Sequence, residues 1–274
     1  MGRVIFMKIQ NSDFDLIHTF ECGQCFRWNK NDDETYIGVV GDSIIVAKQE
    51  NDFFEFNSND TSSLKNYFDF DRNYSDIKNK LCEVDDILAK AIPAGYGIRL
   101  LKQDPWETLI SFIISANNNI PRIKKIIESL CQNFGKEIEY NEKVFYTFPD
   151  ANIISKLSVE KLDIIKSGFR AKYIIDAAQK VSDGTVNLQL PFELKTDVAR
   201  EYLKQIKGIG DKVADCILLF AYQKYDVFPK DVWTKRVLNE LYGVEEKNFE
   251  FFVSEHFGEL AGFAQQYLFY YMRG

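Results

Sequence analysis

The chain has 274 residues, 46% hydrophobic and 27% charged, with a formal net charge of −7. That length can bury a substantial core in one large or two to three small domains. The acidic balance argues mildly against nucleic-acid binding, so such a function has to rest on local clusters of positive charge. No run of eighteen apolar residues is present, and Met1-Gly2-Arg3-Val4-Ile5-Phe6 lacks a long apolar core followed by a cleavage site. The sequence therefore reads as soluble and intracellular, with no membrane partner. Five cysteines, Cys22, Cys25, Cys82, Cys131 and Cys216, are odd in number and scattered, which suits free thiols in a reducing compartment. Cys22 and Cys25 form a C-x-x-C pair, but no second pair completes a tetrahedral zinc site, and the histidines are only His18 and His256.

In chain order, the first seventy or so residues read as β-rich. Tyr36 to Val40, Ile44 to Lys48 and Phe53 to Phe56 are short β-branched and aromatic runs, with Gly41-Asp42 and Asn51-Asp52 as hairpin turns between them. From about Ser75 the spacing becomes helical. Asp104-Pro105-Trp106-Glu107 is a helix start, with a capping Asp, Pro at the first position and Glu at the third. That helix carries Leu109, Ile110, Phe112, Ile113 and Ile114 inward and runs out at Asn117-Asn118-Asn119. A second starts at Pro121 and stops near Gly135. Further helical stretches are expected over about 158–166, 171–182, 195–206, 211–223, 232–242 and 248–273. The expected fold is α+β: an N-terminal antiparallel sheet domain over 1–80, then a mostly helical body over 81–274.

The most informative stretch runs from Leu203 to Cys216. One helix ends at Lys207, and Gly208-Ile209-Gly210 turns the chain into another, spanning with its partner about 197–223. Glycines that tolerate positive φ allow a tight turn with exposed amides. With the N-terminus of the next helix, those amides make a phosphate site that grips a DNA backbone without reading bases. An ordinary αα-hairpin fits the same residues. Charge bears on the choice: from Arg200 to Arg236 there are eight basic residues (Arg200, Lys204, Lys207, Lys212, Lys224, Lys230, Lys235, Arg236) against five acidic ones (Glu201, Asp211, Asp215, Asp226, Asp231). Arg122, Lys124, Lys125, Arg170 and Lys172 add positive charge elsewhere in the body. Lys212 and Cys216 are four apart and share one helix face with Leu219. Asp231 is placed to cap the helix that begins at Val232. Taken singly, these residues also fit a solvated lysine, a small buried thiol and a simple cap.

Taken together they resemble a specific family. Gly208 through Cys216, followed by Phe228-Pro229-Lys230-Asp231-Val232, is similar to the helix-hairpin-helix and Gly/Pro-Asp (HhH-GPD) module of base-excision glycosylases, and within that superfamily to the 8-oxoguanine DNA glycosylase/lyases. Four further segments carry the resemblance in unbroken order: Gly23 to Trp28, Asn117 to Ile123, Gly168 to Tyr173, and Ala261 to Phe269. The resemblance implies that Lys212 is the Schiff-base nucleophile and that Asp231 supports charge at the sugar. It implies that Cys216 and Phe269 sandwich a flipped base, that Gln265 meets its Watson–Crick edge, and that the Gly23 carbonyl accepts the N7 hydrogen of 8-oxoguanine. Asn117 then fills the vacated gap, Phe169 is a stacking wedge, Arg122 and Arg170 hold the orphaned cytosine, and Gly208 and Gly210 contact phosphate. Trp233 stands where the animal enzymes carry a histidine. The iron–sulfur relatives have four clustered cysteines near the C-terminal end, whereas the last cysteine here is Cys216.

The chemistry needs such groups. A base inside a duplex must be flipped out before a glycosylase can act on it. Guanine and 8-oxoguanine differ by an oxygen and a proton at N7, and a mismatched buried acceptor costs on the order of 1–3 kcal/mol. An ordinary lysine has a pKa of about 10.4 and must lose its proton to attack C1′. A thiolate at Cys216 would hold the ammonium form. The imine then permits β-elimination, so a bifunctional enzyme is expected, acting as a monomer on duplex DNA containing 8-oxoguanine, preferentially opposite cytosine. No cofactor or catalytic metal is expected; a structural monovalent or divalent cation at the hairpin is the one ion allowed for. The expected compartment is the cytoplasm or nucleoid of a prokaryote, or a eukaryotic nucleus. Rival readings are another lesion on the same scaffold, a non-catalytic DNA-binding module and a purely structural helical protein.

Overall fold

The computed structural model describes residues 5–10, 13–50, 53–58 and 63–273. The start of the chain at 1–4 and the expected turn at Asn51-Asp52 lie outside them. Five strands, β1 (Ile5–Gln10), β2 (Trp28–Lys30), β3 (Tyr36–Val40), β4 (Ser43–Gln49) and β5 (Phe53–Ser58), form one antiparallel sheet in the order β1-β5-β4-β3-β2. Three match the expected runs; β1 and β2 are additional. Alternation puts Tyr36, Ile45, Ala47, Phe54 and Phe56 on the inner face. That face packs on α1 (Leu16–Phe20) and α2 (Leu64–Tyr67) through Phe20, whose ring stacks on Trp28 at 4.0 Å, and through Leu64.

The helical body continues with α3 (Tyr74–Val84), α4 (Asp86–Ala94), α5 (Pro105–Ser115), α6 (Ile120–Phe134), α7 (Ala151–Ile154), α8 (Val159–Leu162), α9 (Ala171–Ser182), α10 (Leu190–Glu193), α11 (Thr196–Lys204), α12 (Asp211–Tyr222), α13 (Val232–Arg236), α14 (Phe249–Phe257) and α15 (Ala261–Arg273). Asp104 caps α5 by accepting from the Glu107 amide at 2.9 Å. The Glu107 side chain does not reach back to close the box; it lies against Arg27, 3.5 Å away. One expectation fails here: 248–273 is not a continuous helix, because Gly258 turns the chain at φ +51 between α14 and α15. Another element went unanticipated. The body contains a small hairpin, β6 (Glu137–Tyr140) and β7 (Lys143–Tyr146), turned through Asn141 and Glu142 at φ +47 and +62. The expected 232–242 helix changes pitch, from α13 into a π-helical turn over Val237–Leu241.

Two cores result. Sheet, α1 and α2 enclose one; the other fills the helical body. The coil between α1 and β2 crosses between them, sending Cys22 and Phe26 into the helical core while Cys25 stays in the first. This crossing brings Gly23 to the helical body. Among the described residues no helix is long and apolar enough to cross a membrane.

Candidate active site

The hairpin joins α11 to α12. Helix α11 ends at Lys204, three residues earlier than the sequence suggests, and Gln205–Lys207 form the start of the turn. Only one of the two glycines uses left-handed backbone. Gly208 has φ +89, and a Cβ there would stand 2.6 Å from the Tyr173 ring, so the turn is pressed against α9. Gly210 has φ −100 and faces open space; it starts α12 without a side-chain cap. The first amides of α12 are therefore left for an external acceptor.

The positive excess counted around the hairpin is largely spent inside the protein. Arg200 lies between Asp197 (2.7 Å) and Asp215 (2.6 Å), and Lys204 between Glu201 (2.8 Å) and Asp211 (2.7 Å). Lys207 pairs with Asp176, Lys230 with Glu250, Lys235 with Glu246 and Arg236 with Glu240. Among the described residues Arg122, Lys125, Lys172 and Lys212 take part in no ion pair. These four have no carboxylate contact to break before meeting an external anion.

Lys212 sits half-buried in the first turn of α12, its ammonium 5.7 Å from the centre of the Phe112 ring. Cys216 lies one turn on, buried, and burial pushes its thiol up to about 11 despite the opposing pull of Lys212. Burial thus favours the neutral thiol beside Lys212. Asp231 caps α13: its Oδ1 accepts from the Thr234 amide at 2.8 Å, while its own amide donates to Thr234 Oγ1 at 2.9 Å. The second carboxylate oxygen, Oδ2, meets no donor among the described residues.

Gly23, Lys212, Cys216, Asp231, Gln265 and Phe269 line one cavity of about 50 Å³. It adjoins a groove of about 780 Å³ that is lined also by Asn117, Trp233 and Arg273. Gln265 is 5% exposed, and its Oε1 is buried without a hydrogen-bond donor. Such an orphan acceptor is costly unless a ligand supplies the proton. Gly23 has φ +84, and a Cβ there would touch the Phe269 ring at 3.4 Å. Residues more than 240 positions apart thus share one small chamber.

Residues 6–109 match the family model described as 8-oxoguanine DNA glycosylase, N-terminal domain, and residues 110–261 match HhH-GPD superfamily base excision DNA repair protein. The chain is 34% identical over 268 residues to the N-glycosylase/DNA lyase of Saccharomyces cerevisiae, covering 87% of this chain and 71% of that protein. It superimposes on MBOgg1, solved with a low affinity DNA ligand, with TM-score 0.94, 45% identity and coverage of 98% of this chain and 95% of that one. The 8-oxoguanine glycosylase/lyase of Clostridium acetobutylicum, solved with double-stranded DNA containing cytosine opposite 8-oxoG, gives TM-score 0.91, 39% identity and 97% coverage of each chain. The chain belongs to the 8-oxoguanine DNA glycosylase family of the HhH-GPD superfamily.

Of the remaining expected residues, Asn117 and Trp233 line the groove. Asn117 is exposed at φ +49 in the turn between α5 and α6. Arg122 is exposed in the first turn of α6. Phe169 is 53% exposed. Arg170 is placed differently: it is 3% exposed, and its guanidinium donates to Ala116 O at 3.0 Å, Asn117 O at 2.9 Å and Ser167 O at 3.2 Å. In this state it braces the Asn117 turn. Burial, and next the charge of Arg122, lower its proton affinity, so the two guanidinium groups sense one another. Trp233 is 39% exposed in the groove wall, against Arg236. Two contributors were not singled out from sequence. Phe112 reads there only as a core residue, and Thr234 closes a capping box that the Asp231-to-Thr234 spacing could have signalled.

Proposed function

We propose that this protein is a bifunctional DNA glycosylase/lyase that removes 8-oxoguanine opposite cytosine by way of a Schiff base at Lys212. The observation that carries this reading is that Lys212, Asp231 and Gln265, the last with a buried amide oxygen that has no donor, line one cavity. In the proposed reaction the everted base slides between Cys216 and Phe269 and donates from its Watson–Crick edge to Gln265 Oε1. The N7 hydrogen, present in 8-oxoguanine and absent from guanine, is donated to the Gly23 carbonyl.

With its lone pair free, Lys212 Nζ attacks C1′ as the C1′–N9 bond breaks, and the departing base takes up a proton. Asp231 Oδ2 faces the positive charge that builds on the sugar. Cys216, held toward the thiol by burial, sits one turn from the Lys212 amine. Ring opening gives the imine, and loss of a C2′ proton then expels the 3′-phosphate, nicking the strand. A cavity of about 50 Å³ holds one or two waters rather than a purine. Base entry therefore requires the walls to part.

Outside the chamber, Asn117 would fill the gap in the duplex, Phe169 would wedge the stack, and Arg122 with Arg170 would hold the orphaned cytosine. For Arg170 that contact requires release from the Ala116 and Asn117 carbonyls. Amides at Gly208, Gly210 and the start of α12 would hold a phosphate. No step uses a cofactor. Among the described residues no group of three or more His, Cys, Asp or Glu is arranged to hold a metal, so a structural cation at the hairpin would have to rest on backbone carbonyls. Action as a monomer is part of this proposal, wherever the cell keeps its DNA.

The deciding experiment is product analysis on duplexes carrying a single 8-oxoguanine opposite each of the four bases, beside oxidised pyrimidines, alkylated purines and mispaired adenine. Release and nicking are expected for 8-oxoguanine, fastest opposite cytosine. Excision of another lesion in preference to it overturns the substrate assignment, and equal rates opposite all four bases overturn the cytosine preference.

A further inference from the structure

The Gly23 carbonyl makes the finest distinction in the proposed reaction, yet it lies in coil at φ +84, and no donor among the described residues meets its oxygen. Glycine in that region allows the flanking peptides to rotate cheaply unless something else holds them. Both neighbouring carbonyls are held, each by a glutamine. On one side Gln266 Nε2 donates to Cys22 O at 2.7 Å. On the other, Gln103 Nε2 donates to Gln24 O at 2.8 Å. The Gln24 side chain donates to Thr19 O at 2.9 Å and Arg99 O at 2.7 Å and accepts from the Leu101 amide at 2.8 Å. Gln24 is 0% and Gln266 2% exposed, so water does not compete for these bonds.

We propose that Gln266 is a positioning residue that aims the lesion-reading carbonyl of Gly23, an inference that rests on the functional reading above. Its amide fixes the Cys22–Gly23 peptide, and with it the plane in which the next carbonyl approaches the base. Gln265 and Gln266 are consecutive in α15, so one turn of helix sets both the acceptor for the Watson–Crick edge and, through the peptide, the acceptor for N7–H. The second anchor ties the same loop to the catalytic helix: the Gln103 amide donates to Phe220 O in α12 at 3.0 Å. The reading loop, the edge-reading helix and the helix carrying Lys212 are thereby held in one register. Hydrogen-bond strength drops steeply with misalignment, so loosening the peptide is felt as lost discrimination.

The test uses Gln266→Leu, of similar size without a donor, and Gln266→Glu, of the same shape with an acceptor in place of the donor. Two quantities are measured. One is the ratio of affinities for 8-oxoguanine and guanine duplexes in a Lys212→Gln background. The other is single-turnover excision of 8-oxoguanine relative to β-elimination at a preformed abasic site, which has no base to read. The affinity ratio is expected to fall about tenfold, the worth of roughly one aligned hydrogen bond, and excision to fall by several-fold more than elimination. A retained affinity ratio, or excision and elimination falling equally, overturns the proposal. Should Gln266→Leu not fold, Gln103→Leu removes the opposite anchor and carries the same expectation. A wild-type protein that does not prefer 8-oxoguanine overturns the functional reading itself; a preference that survives loss of the Gln266 amide overturns this inference alone.

Discussion

Thr234 occupies one oxygen of Asp231 and leaves the other bare: Oδ1 accepts from the Thr234 amide at 2.8 Å and faces its hydroxyl at 3.0 Å, while Oδ2 has no donor among the described residues. The helix cap and the proposed catalytic carboxylate are therefore the same side chain. The cap holds the side chain through Oδ1, at a residue that lines the chamber.

This division of labour separates two substitutions. Asn is as good an N-cap as Asp, so Asp231→Asn should alter stability by less than about 1 kcal/mol while slowing base excision at least about a hundredfold, as loss of a transition-state charge partner does. Thr234→Val removes the hydroxyl and loosens the cap. It should cost about 1–2 kcal/mol and slow excision by a smaller factor, near tenfold. Denaturant melts with single-turnover kinetics check both; an Asp231→Asn enzyme of full speed would leave Asp231 as a cap only.

The two hairpin glycines should behave unlike each other. A methyl at Gly208 meets the Tyr173 ring at 2.6 Å on left-handed backbone, so Gly208→Ala should lower stability by about 2 kcal/mol. Gly210→Ala meets no protein atom and should cost less than about 1 kcal/mol. Its methyl would stand where the proposed phosphate approaches, so DNA affinity should drop, and with it the steepness of its salt dependence. Thermal melts and salt titrations of duplex binding distinguish the pair.

Alkaline pH should unfold the protein early. Burial raises Cys22 and Cys216 to about 11 from an ordinary 9.0. A raised acid keeps its proton longer in the folded chain than in the unfolded one, so the stability tied to the neutral thiols is complete below pH 9 and is lost between about pH 9 and 11. Tm should fall across that window, and Cys216→Ala should fall less steeply than the parent. A flat profile from pH 8 to 11 would contradict the burial argument.

What the sequence shows best is what local chemistry writes. The Asp104 and Asp231 caps, the hairpin before Lys212 and the i, i+4 pairing of Lys212 with Cys216 each occupy a few adjacent residues, and the structure contains all of them. The β6–β7 hairpin was missed because the alternation of Glu137-Ile138-Glu139-Tyr140 lasts only four residues and neither strand buries a side chain fully; the Asn141 turn was the other cue. The break at Gly258 hides inside an otherwise helical pattern. Charge was legible as a count and misleading as a field, because Arg200, Lys207, Lys230, Lys235 and Arg236 each meet a carboxylate outside the counted stretch. The Gln266 contact to Cys22 joins opposite ends of the chain, and no window of neighbouring residues contains it.

The central claim is that the Lys212 amine forms the covalent bond to the sugar. Borohydride reduction during reaction with an 8-oxoguanine:cytosine duplex should trap one protein on each cleaved strand, and Lys212→Gln should abolish both the trapped species and strand nicking while still binding the duplex. Undiminished trapping by Lys212→Gln would place the nucleophile on another residue and contradict the mechanism.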